Sequence, residues 1–171
     1  MYFKITRRNN DTHNIHTNFH THFYNANIFY RRCSMDKEQA FAFITEQKTA
    51  FLGSINENGF PMIRAMLAPR KIEENQIYFT TNTSSNKIKH YLSNQKACVY
   101  FYKRGRFKYQ GLGIIGTIEI CKDMLTKEMI WQEGDTKYYK KGIGDPDYCV
   151  LKFTCIEAEY YCDFKKERFV F

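Results

Sequence analysis

The chain has 171 residues, of which 43% are hydrophobic and 17% aromatic, and it carries a formal charge of +8 at pH 7. This length provides for one sizeable hydrophobic core and is too short for two comfortable domains. Because no apolar run is long enough to cross a bilayer and the six cysteines form no C-x-x-C pair, the sequence predicts neither a membrane protein nor a zinc site or disulfide framework.

Residues 1–34 carry half of the net positive charge and are rich in Asn, Thr and His. They contain too few aliphatic residues for a packed element and follow neither a helical nor a strand period, so we expect a disordered extension. A helix start directly after Met35 indicates that Met35 is the working initiator or that the first 34 residues are a dispensable leader. The folded domain is therefore predicted to span residues 35–171, and cysteines within its strands favour a reducing, cytoplasmic location.

The remaining elements follow from the spacing of apolar and polar residues. Helices are predicted at residues 36–47, 85–92 and 123–132. Strands are predicted at residues 49–55, 60–68, 76–81, 96–102, 107–121, 148–156 and 157–164. Between the first two strands, Asn58-Gly59 is a strong hairpin signal because both residues tolerate positive φ. Short strands, two intervening helices and glycine-marked bends together predict a small, mainly β, antiparallel barrel with flanking helices.

The stretch of residues 60–87 contains the residue types that bind an anion. Arg64 shares one face of a predicted strand with two methionines, so it either reaches solvent or pairs with a buried anion, and the sequence favours the second only slightly. The hydroxyl-rich loop before Lys87 offers hydroxyls and free backbone N–H groups at a helix start, where a phosphate is favoured. A simple helix cap at Ser84 or Ser85 explains the same serines equally well. Both interpretations stay open at this point.

Several motifs occur in a characteristic order. They are Arg64-Ala65-Met66, Tyr78-Phe79-Thr80-Thr81, Ser84-Ser85-Asn86-Lys87, Gly116 in a long strand, and Trp131 leading to Tyr139-x-x-Gly142-x-x-Asp145-Pro146. The ordered set, over residues 36–168, resembles the pyridoxamine 5'-phosphate oxidase-like FMN-binding split barrels, in particular the general stress protein 26-like and small clostridial-type members. The resemblance implies a homodimer of six-stranded antiparallel split barrels with FMN at the dimer interface.

The resemblance also implies a set of cofactor-binding residues. Arg64, Lys87 and Ser85 would hold the FMN phosphate. The residues implied along the ribityl chain and the ring edge are Ala65, Met66, Tyr78, Thr80 and Thr81. Gln110 and Trp131 would act from the partner subunit. Charge-assisted donors suit a phosphate, and apolar walls with backbone hydrogen bonds suit a flat isoalloxazine ring.

Three features depart from the family pattern. Asn86 stands where the oxidases proper have a basic residue. Gln110 lies six residues before Gly116 rather than five, which turns it to the opposite strand face unless a glycine forms a bulge. The C-terminal Arg-x-His signature that grips the pyridoxal substrate is missing, since the chain ends Glu167-Arg168-Phe169-Val170-Phe171. We therefore expect FMN binding without efficient oxidation of pyridoxamine phosphate.

Two classes of function fit these expectations. The first is an FMN-dependent oxidoreductase that transfers a hydride to or from an unidentified small molecule, for which the cofactor supplies the chemistry. The alternative is a non-catalytic module that stores or senses FMN, or that binds haem or a deazaflavin. His90 is the only histidine of the predicted domain and lies on a helix, which counts modestly against haem. Nucleic-acid binding through the basic residues 103–106 ranks low because the domain's charge is diffuse.

Overall fold

Eight antiparallel strands form one sheet in the part of the chain that the computed structural model describes, residues 34–105 and 109–171. The strands are β1 (Thr49–Ile55), β2 (Pro61–Leu67), β3 (Lys71–Glu73), β4 (Gln76–Asn82), β5 (Lys96–Arg104), β6 (Tyr109–Cys121), β7 (Tyr148–Cys162) and β8 (Lys165–Val170). Their order in the sheet is β2-β1-β5-β6-β7-β4-β3, with β8 paired to β7. The helices are α1 (Lys37–Thr45), α2 (Asn86–Ser93) and α3 (Met124–Ile130). Within the described residues, no helix has the length and apolar character needed to span a membrane.

The predicted mainly β, antiparallel fold is confirmed. The sheet contains eight strands rather than six, because the short β3 and the C-terminal β8 extend it at β4 and β7. The three helices occur where they were predicted; α1 and α3 are slightly shorter, and α2 is shifted by one residue. Asp36 starts α1 by accepting a hydrogen bond from the backbone N–H of Gln39 at 2.8 Å, while the Gln39 side chain accepts one from the N–H of Asp36 at 3.1 Å. The hairpin between β1 and β2 also forms, with Gly59 at φ +81°.

The separation of residues 148–156 and 157–164 into two strands is wrong. Residues 148–162 form the single strand β7, and residues 163–164 form the turn to β8. Ile156 is an extra residue in β7: Ile115 pairs with Glu157, whereas the next residue of β6, Gly116, pairs with Cys155. Such a bulge exchanges the faces, so the positions of β7 in the main core are odd-numbered before Ile156 and even-numbered after it. Tyr148 and Val150, on the opposite face, are buried in a second cluster. In the sequence, this change in the alternation of apolar residues resembles the end of one strand and the start of another. The first part of β7 pairs with β4 and the second with β8.

The core lies between the inner face of the sheet and the helices α1 and α2. Its fully buried side chains include Ile44, Leu52, Ile77, Phe79, Tyr91, Val99, Phe101, Leu112, Ile114, Ile118, Leu151 and Phe153. A second, smaller cluster combines Tyr78, Cys121, Ile130, Tyr139, Tyr148 and Val150, with Trp131 and Ile143 packed against it. The predictions for residues 1–33 and 106–108 lie outside the described residues, and the domain boundary at residue 35 stays a prediction.

Gly116 lies beside the bulge, where the backbone of β7 approaches β6 closely. A Cβ atom at this position would overlap the carbonyl oxygen of Thr154 and lie 2.8 Å from the ring of Phe153. We expect Gly116→Ala to lower the free energy of unfolding by about 2 kcal/mol or more, because a backbone atom must move. Gly113→Ala is the matched control, since its Cβ would meet Tyr100 at 3.6 Å, an ordinary contact. Urea unfolding of both variants measures the difference, and equal midpoints would contradict the close approach at Gly116.

Candidate anion-binding site

Helix α2 presents three polar side chains to the sheet. Lys87, His90 and Tyr91 share one face of this helix because residues three and four apart lie one above the other. All three are buried. The face packs over β1, and the Tyr91 hydroxyl donates to the carbonyl oxygen of Gly53 at 3.1 Å. Burial raises the pKa of Tyr91, which keeps it a neutral hydrogen-bonding group.

Lys87 is a buried cation whose hydrogen-bond partners, among the described residues, are hydroxyl groups. Its Nζ donates to Thr81 Oγ1 at 2.7 Å and to Ser85 Oγ at 2.6 Å, and 8% of the residue is exposed. Burial, and next the positive charge of Arg64, lower the pKa of Lys87. Across residues 34–105 and 109–171, no carboxylate forms an ion pair with Lys87. The site therefore contains an ammonium whose charge the described part of the chain does not balance.

Arg64 supplies a second positive charge beside it. The residue is half-buried on β2 opposite Leu52 of β1, and its Nη1 donates to Ser54 Oγ at 3.0 Å. Ser54 is 3% exposed and its Oγ also lies 2.9 Å from Nδ1 of His90. Among the described residues, Arg64 too has no carboxylate partner. Two cations near each other, both without a counter-charge, are an arrangement that a bound anion stabilises.

Asp147 organises the loop that leads into α2. Its carboxylate accepts hydrogen bonds from Asn82 Nδ2 at 2.7 Å, Thr83 Oγ1 at 2.9 Å, and the backbone N and Oγ of Ser84 at 2.8 and 3.0 Å. The bonds from Asn82 and then from the Ser84 N–H hold the pKa of Asp147 well below its usual range. Asp147 thereby fixes the start of the hydroxyl-rich loop, just before Ser85 and Lys87. Sequence reasoning did not assign this role, because the partners lie more than sixty residues apart.

Neutralising Asp147 is expected to loosen this loop in a pH-dependent way. Since the folded-state pKa is depressed, the carboxylate contributes stability above the unfolded-state pKa of about 3.9, and this contribution is lost as the pH falls through the folded-state pKa. We expect Asp147→Asn to cost about 1–2 kcal/mol at pH 7 and progressively less below pH 4. Urea unfolding of wild type and variant at pH 7 and pH 3 measures this, with the exposed Glu128→Gln as the charge control. A difference that is equal at both pH values would exclude a role for the charge of Asp147.

The structure brings four of the predicted site residues together. Arg64, Thr81, Ser85 and Lys87 form the cluster described above. Met66 lies on the same face of β2 as Arg64, where it packs half-buried against the core, whereas Ala65 lies on the opposite, exposed face.

The other predicted site residues lie apart from this cluster within the chain. Tyr78 and Thr80 are on the opposite face of β4 from Thr81, and the Tyr78 hydroxyl donates to Gln76 Oε1. Trp131 follows α3 and packs on Tyr139 and Tyr148, with ring centroids 6.2 and 5.1 Å away.

Gln110 lies on the core side of β6. The glycines form no bulge in this strand, since its pairing with β5 is regular from Tyr109 to Thr117 and the extra residue is in β7. Gln110 therefore shares a face with Leu112, and its Nε2 donates to the hydroxyl of Tyr160 at 2.6 Å. Its assignment to a site formed with a second subunit stays a prediction.

Comparison with known proteins identifies the family. The profile of the family described as pyridoxamine 5'-phosphate oxidase matches residues 36–162. The chain belongs to this family. The resemblance inferred from the motifs is thereby confirmed. A search of curated proteins found no match.

Solved structures agree with membership of the pyridoxamine 5'-phosphate oxidase family. A protein from Clostridium acetobutylicum related to general stress protein 26 is 35% identical, covering 80% of this chain and 96% of that one, with a TM-score of 0.69. General stress protein 26 of Bacillus anthracis is 22% identical over 77% of this chain and 97% of that one, with a TM-score of 0.62. A heme binding protein of Mycobacterium smegmatis is 9% identical over 75% and 55%, with a TM-score of 0.61. The last two likenesses show a shared fold alone.

Proposed function

We propose that this chain binds FMN and uses it as an oxidoreductase, transferring a hydride to or from a small molecule. The observation that carries the proposal is the buried Lys87 ammonium beside the Arg64 guanidinium, with no carboxylate paired to either among the described residues. A phosphate monoester offsets both charges and accepts hydrogen bonds from both side chains. Members of the family commonly bind FMN, which supports this ligand over a free anion.

The donor set fits the phosphate end of the cofactor. Arg64, Lys87 and the Ser85 hydroxyl would hold the phosphate, and Asp147 would keep the loop before Ser85 in place. The residues proposed along the ribityl chain and ring edge are Ala65, Met66, Tyr78, Thr80 and Thr81. When bound, the isoalloxazine ring would supply the hydride chemistry, so the polypeptide needs no acid–base pair of its own.

A homodimer is part of the proposal. The outer face of the sheet exposes large apolar side chains on four neighbouring strands: Phe51, Ile63, Leu67, Tyr100 and Ile115. Monomeric proteins rarely expose a continuous apolar patch larger than a few hundred Å², and large patches often mark an interface. A second copy of the chain on this face would cover the patch. Its Trp131 and Gln110 would complete the flavin site, and Gln110, which faces the core side of β6, would exchange its bond to Tyr160 for one to the flavin. Sedimentation of the purified chain as a monomer at micromolar concentration would contradict this arrangement.

Haem is less compatible with the described residues. The fold is shared with the heme binding protein named above, but His90, the only histidine in residues 34–105 and 109–171, is buried under α2. Its Nδ1 is bonded to Ser54, and its Nε2 lies 3.9 Å from a Glu57 carboxylate oxygen. A haem bound without this histidine would need a ligand of another kind.

The test is equilibrium binding to the purified full-length chain, followed by reduction. We expect one FMN to bind per chain. Because riboflavin lacks only the phosphate, its affinity should be at least tenfold lower than that of FMN. Anaerobic addition of NADH or NADPH should then bleach the flavin bands. Bound FMN that no nicotinamide reduces would favour a storage or sensing module. Equal affinities for FMN and riboflavin would remove the anion site from the proposal. A chain that binds neither flavin would overturn the proposed function.

A further inference from the structure

Ser54 links the charged side chain of Arg64 to His90. The Ser54 hydroxyl has one proton and two acceptor lone pairs. Arg64 has only N–H donors, so in the 3.0 Å bond it donates to Ser54 Oγ. In the neutral tautomer of His90 that carries its proton on Nε2, the nitrogen 3.9 Å from the Glu57 carboxylate, Ser54 donates its proton to Nδ1 over 2.9 Å. In this state the Ser54 proton is not available to any ligand.

Protonation of His90 reverses the direction of one bond. A protonated ring carries a proton on Nδ1 and must donate it to Ser54 Oγ. Arg64 and His90 then occupy both lone pairs of the hydroxyl, and the Ser54 proton turns to another acceptor. The Tyr91 hydroxyl, which donates to the Gly53 carbonyl oxygen, also contacts Ser54 and Arg64. An anion held by Arg64 next to Ser54 would be the stronger acceptor for this proton, because it is charged. Protonation thus adds one hydrogen-bond donor and one positive charge to the site.

From this geometry we infer that His90 is a positioning residue for the anion site and that its protonation strengthens phosphate binding. The inference rests on the proposed function, since the phosphate is that of FMN. Anion binding and His90 protonation must favour each other equally, because the coupling free energy between two binding events is reciprocal.

The charged and titratable groups around His90 come from each neighbouring element. Glu57, in the turn between β1 and β2, has a carboxylate oxygen 3.9 Å from Nε2, Arg64 on β2 donates to the same Ser54 hydroxyl, and Lys87 precedes His90 by one turn of α2. Tyr91 on α2 is neutral, and Cys98 on β5 lies next to Tyr91. A bound phosphate would offset the charges of Arg64 and Lys87, which favours a further positive charge at His90.

The test compares pH profiles of FMN affinity between pH 8.0 and 5.5 for the wild type and His90→Asn. Asparagine places an amide near the position of Nδ1, so it can keep the Ser54 bond without titrating. The second ionisation of a phosphate monoester, near pH 6, affects both proteins alike and cancels in their ratio. We expect the ratio of wild-type to variant affinity to rise about tenfold toward pH 5.5, the effect of one pH unit of linkage. Riboflavin should show no such rise.

Two further variants separate linkage from folding defects. Ser54→Ala removes the hydrogen-bonded link between Arg64 and His90, so its FMN affinity should depend on pH as weakly as that of His90→Asn. Lys89→Gln changes a charge on the exposed face of the same helix and should keep the wild-type profile. If FMN binds to the wild type and to His90→Asn with the same pH profile of affinity, the inference about His90 is overturned and the proposed function stands.

Binding of inorganic phosphate tests the inference independently of the flavin. Its protection of the chain against thermal unfolding is measured over the same pH range. Protection that increases toward pH 5.5 in the wild type and not in His90→Asn supports the role of His90 even where FMN fails to bind. Absence of both FMN binding and phosphate protection would overturn the proposed function and the inference together.

Discussion

Replacing Lys87 with methionine is expected to weaken FMN binding about 50-fold and to stabilise the ligand-free protein by about 1 kcal/mol. The two effects have opposite signs because the ammonium is buried without a counter-charge among the described residues. With ligand, Lys87 contributes a charge-assisted hydrogen bond to the phosphate. Without ligand, it costs desolvation and repulsion from Arg64, as its lowered pKa indicates. Methionine keeps most of the length and the packing of the side chain without the charge.

The stability gain of Lys87→Met should depend on pH in the way that is specific to a lysine with a lowered pKa. A lysine whose folded-state pKa is lowered destabilises the folded state most where it is charged in both states. The penalty declines as the pH rises from that folded-state pKa toward the unfolded value of about 10.4. The stability advantage of Lys87→Met should therefore be greatest at neutral pH and should shrink toward pH 10.

Urea unfolding at pH 7 and pH 9.5, together with FMN and riboflavin titrations, tests both signs. Riboflavin affinity should be unchanged in Lys87→Met, because the missing interaction is with the phosphate. Lys89→Met, on the exposed face of α2, is the control and should change neither stability nor FMN affinity by more than a few tenths of a kcal/mol. A variant that loses stability and binds both flavins less tightly would show that Lys87 only supports the fold.

The local elements were predictable because their signals are local. The Asn58-Gly59 turn, the Asp36 cap and the spacing of α2 each depend on residues within a few positions of one another. The continuous strand β7 was not predictable, because the bulge at Ile156 depends on pairing with β6 and changes the face on which apolar residues lie. The pairing of β7 with β6 therefore determines that the strand continues through Ile156, which the alternation of apolar residues alone did not indicate.

The same distinction applies to the candidate site. Arg64 and Lys87 were found through motifs, and the structure brings them together. Ser54 and His90 were missed, because their role depends on how α2 packs across the hairpin of β1 and β2. A helical spacing of three residues between Lys87 and His90 was the only signal in the sequence, and it is equally typical of an ordinary buried helix face. The role of Asp147 required a contact between two loops distant in the chain.

The largest loss of stability is expected from Arg70→Leu. Arg70 follows β2, and its Nη2 pairs with Asp135 Oδ1 while its Nη1 donates to Gln132 Oε1. The side chains of Arg70 and Asp135 are 14% and 2% exposed, and Asp135 also accepts from the backbone N–H of Gln132 at 3.1 Å. Removing the guanidinium leaves a buried carboxylate without its counter-charge, which costs about 3–5 kcal/mol. The melting temperature should fall by about 10 °C or more.

The double variant Arg70→Leu/Asp135→Leu distinguishes a buried charge from a simple loss of packing. Replacing both partners of a buried ion pair with apolar residues is often nearly neutral, so the double variant should recover at least about 2 kcal/mol of the single variant's loss. Part of the loss should remain, because the N–H of Gln132 loses its acceptor. Thermal unfolding of the wild type, the two single variants and the double variant completes the cycle. If the double variant is less stable than Arg70→Leu by the full cost of Asp135→Leu, the two side chains act independently, and the pair does not hold the end of β2 to the turn after α3.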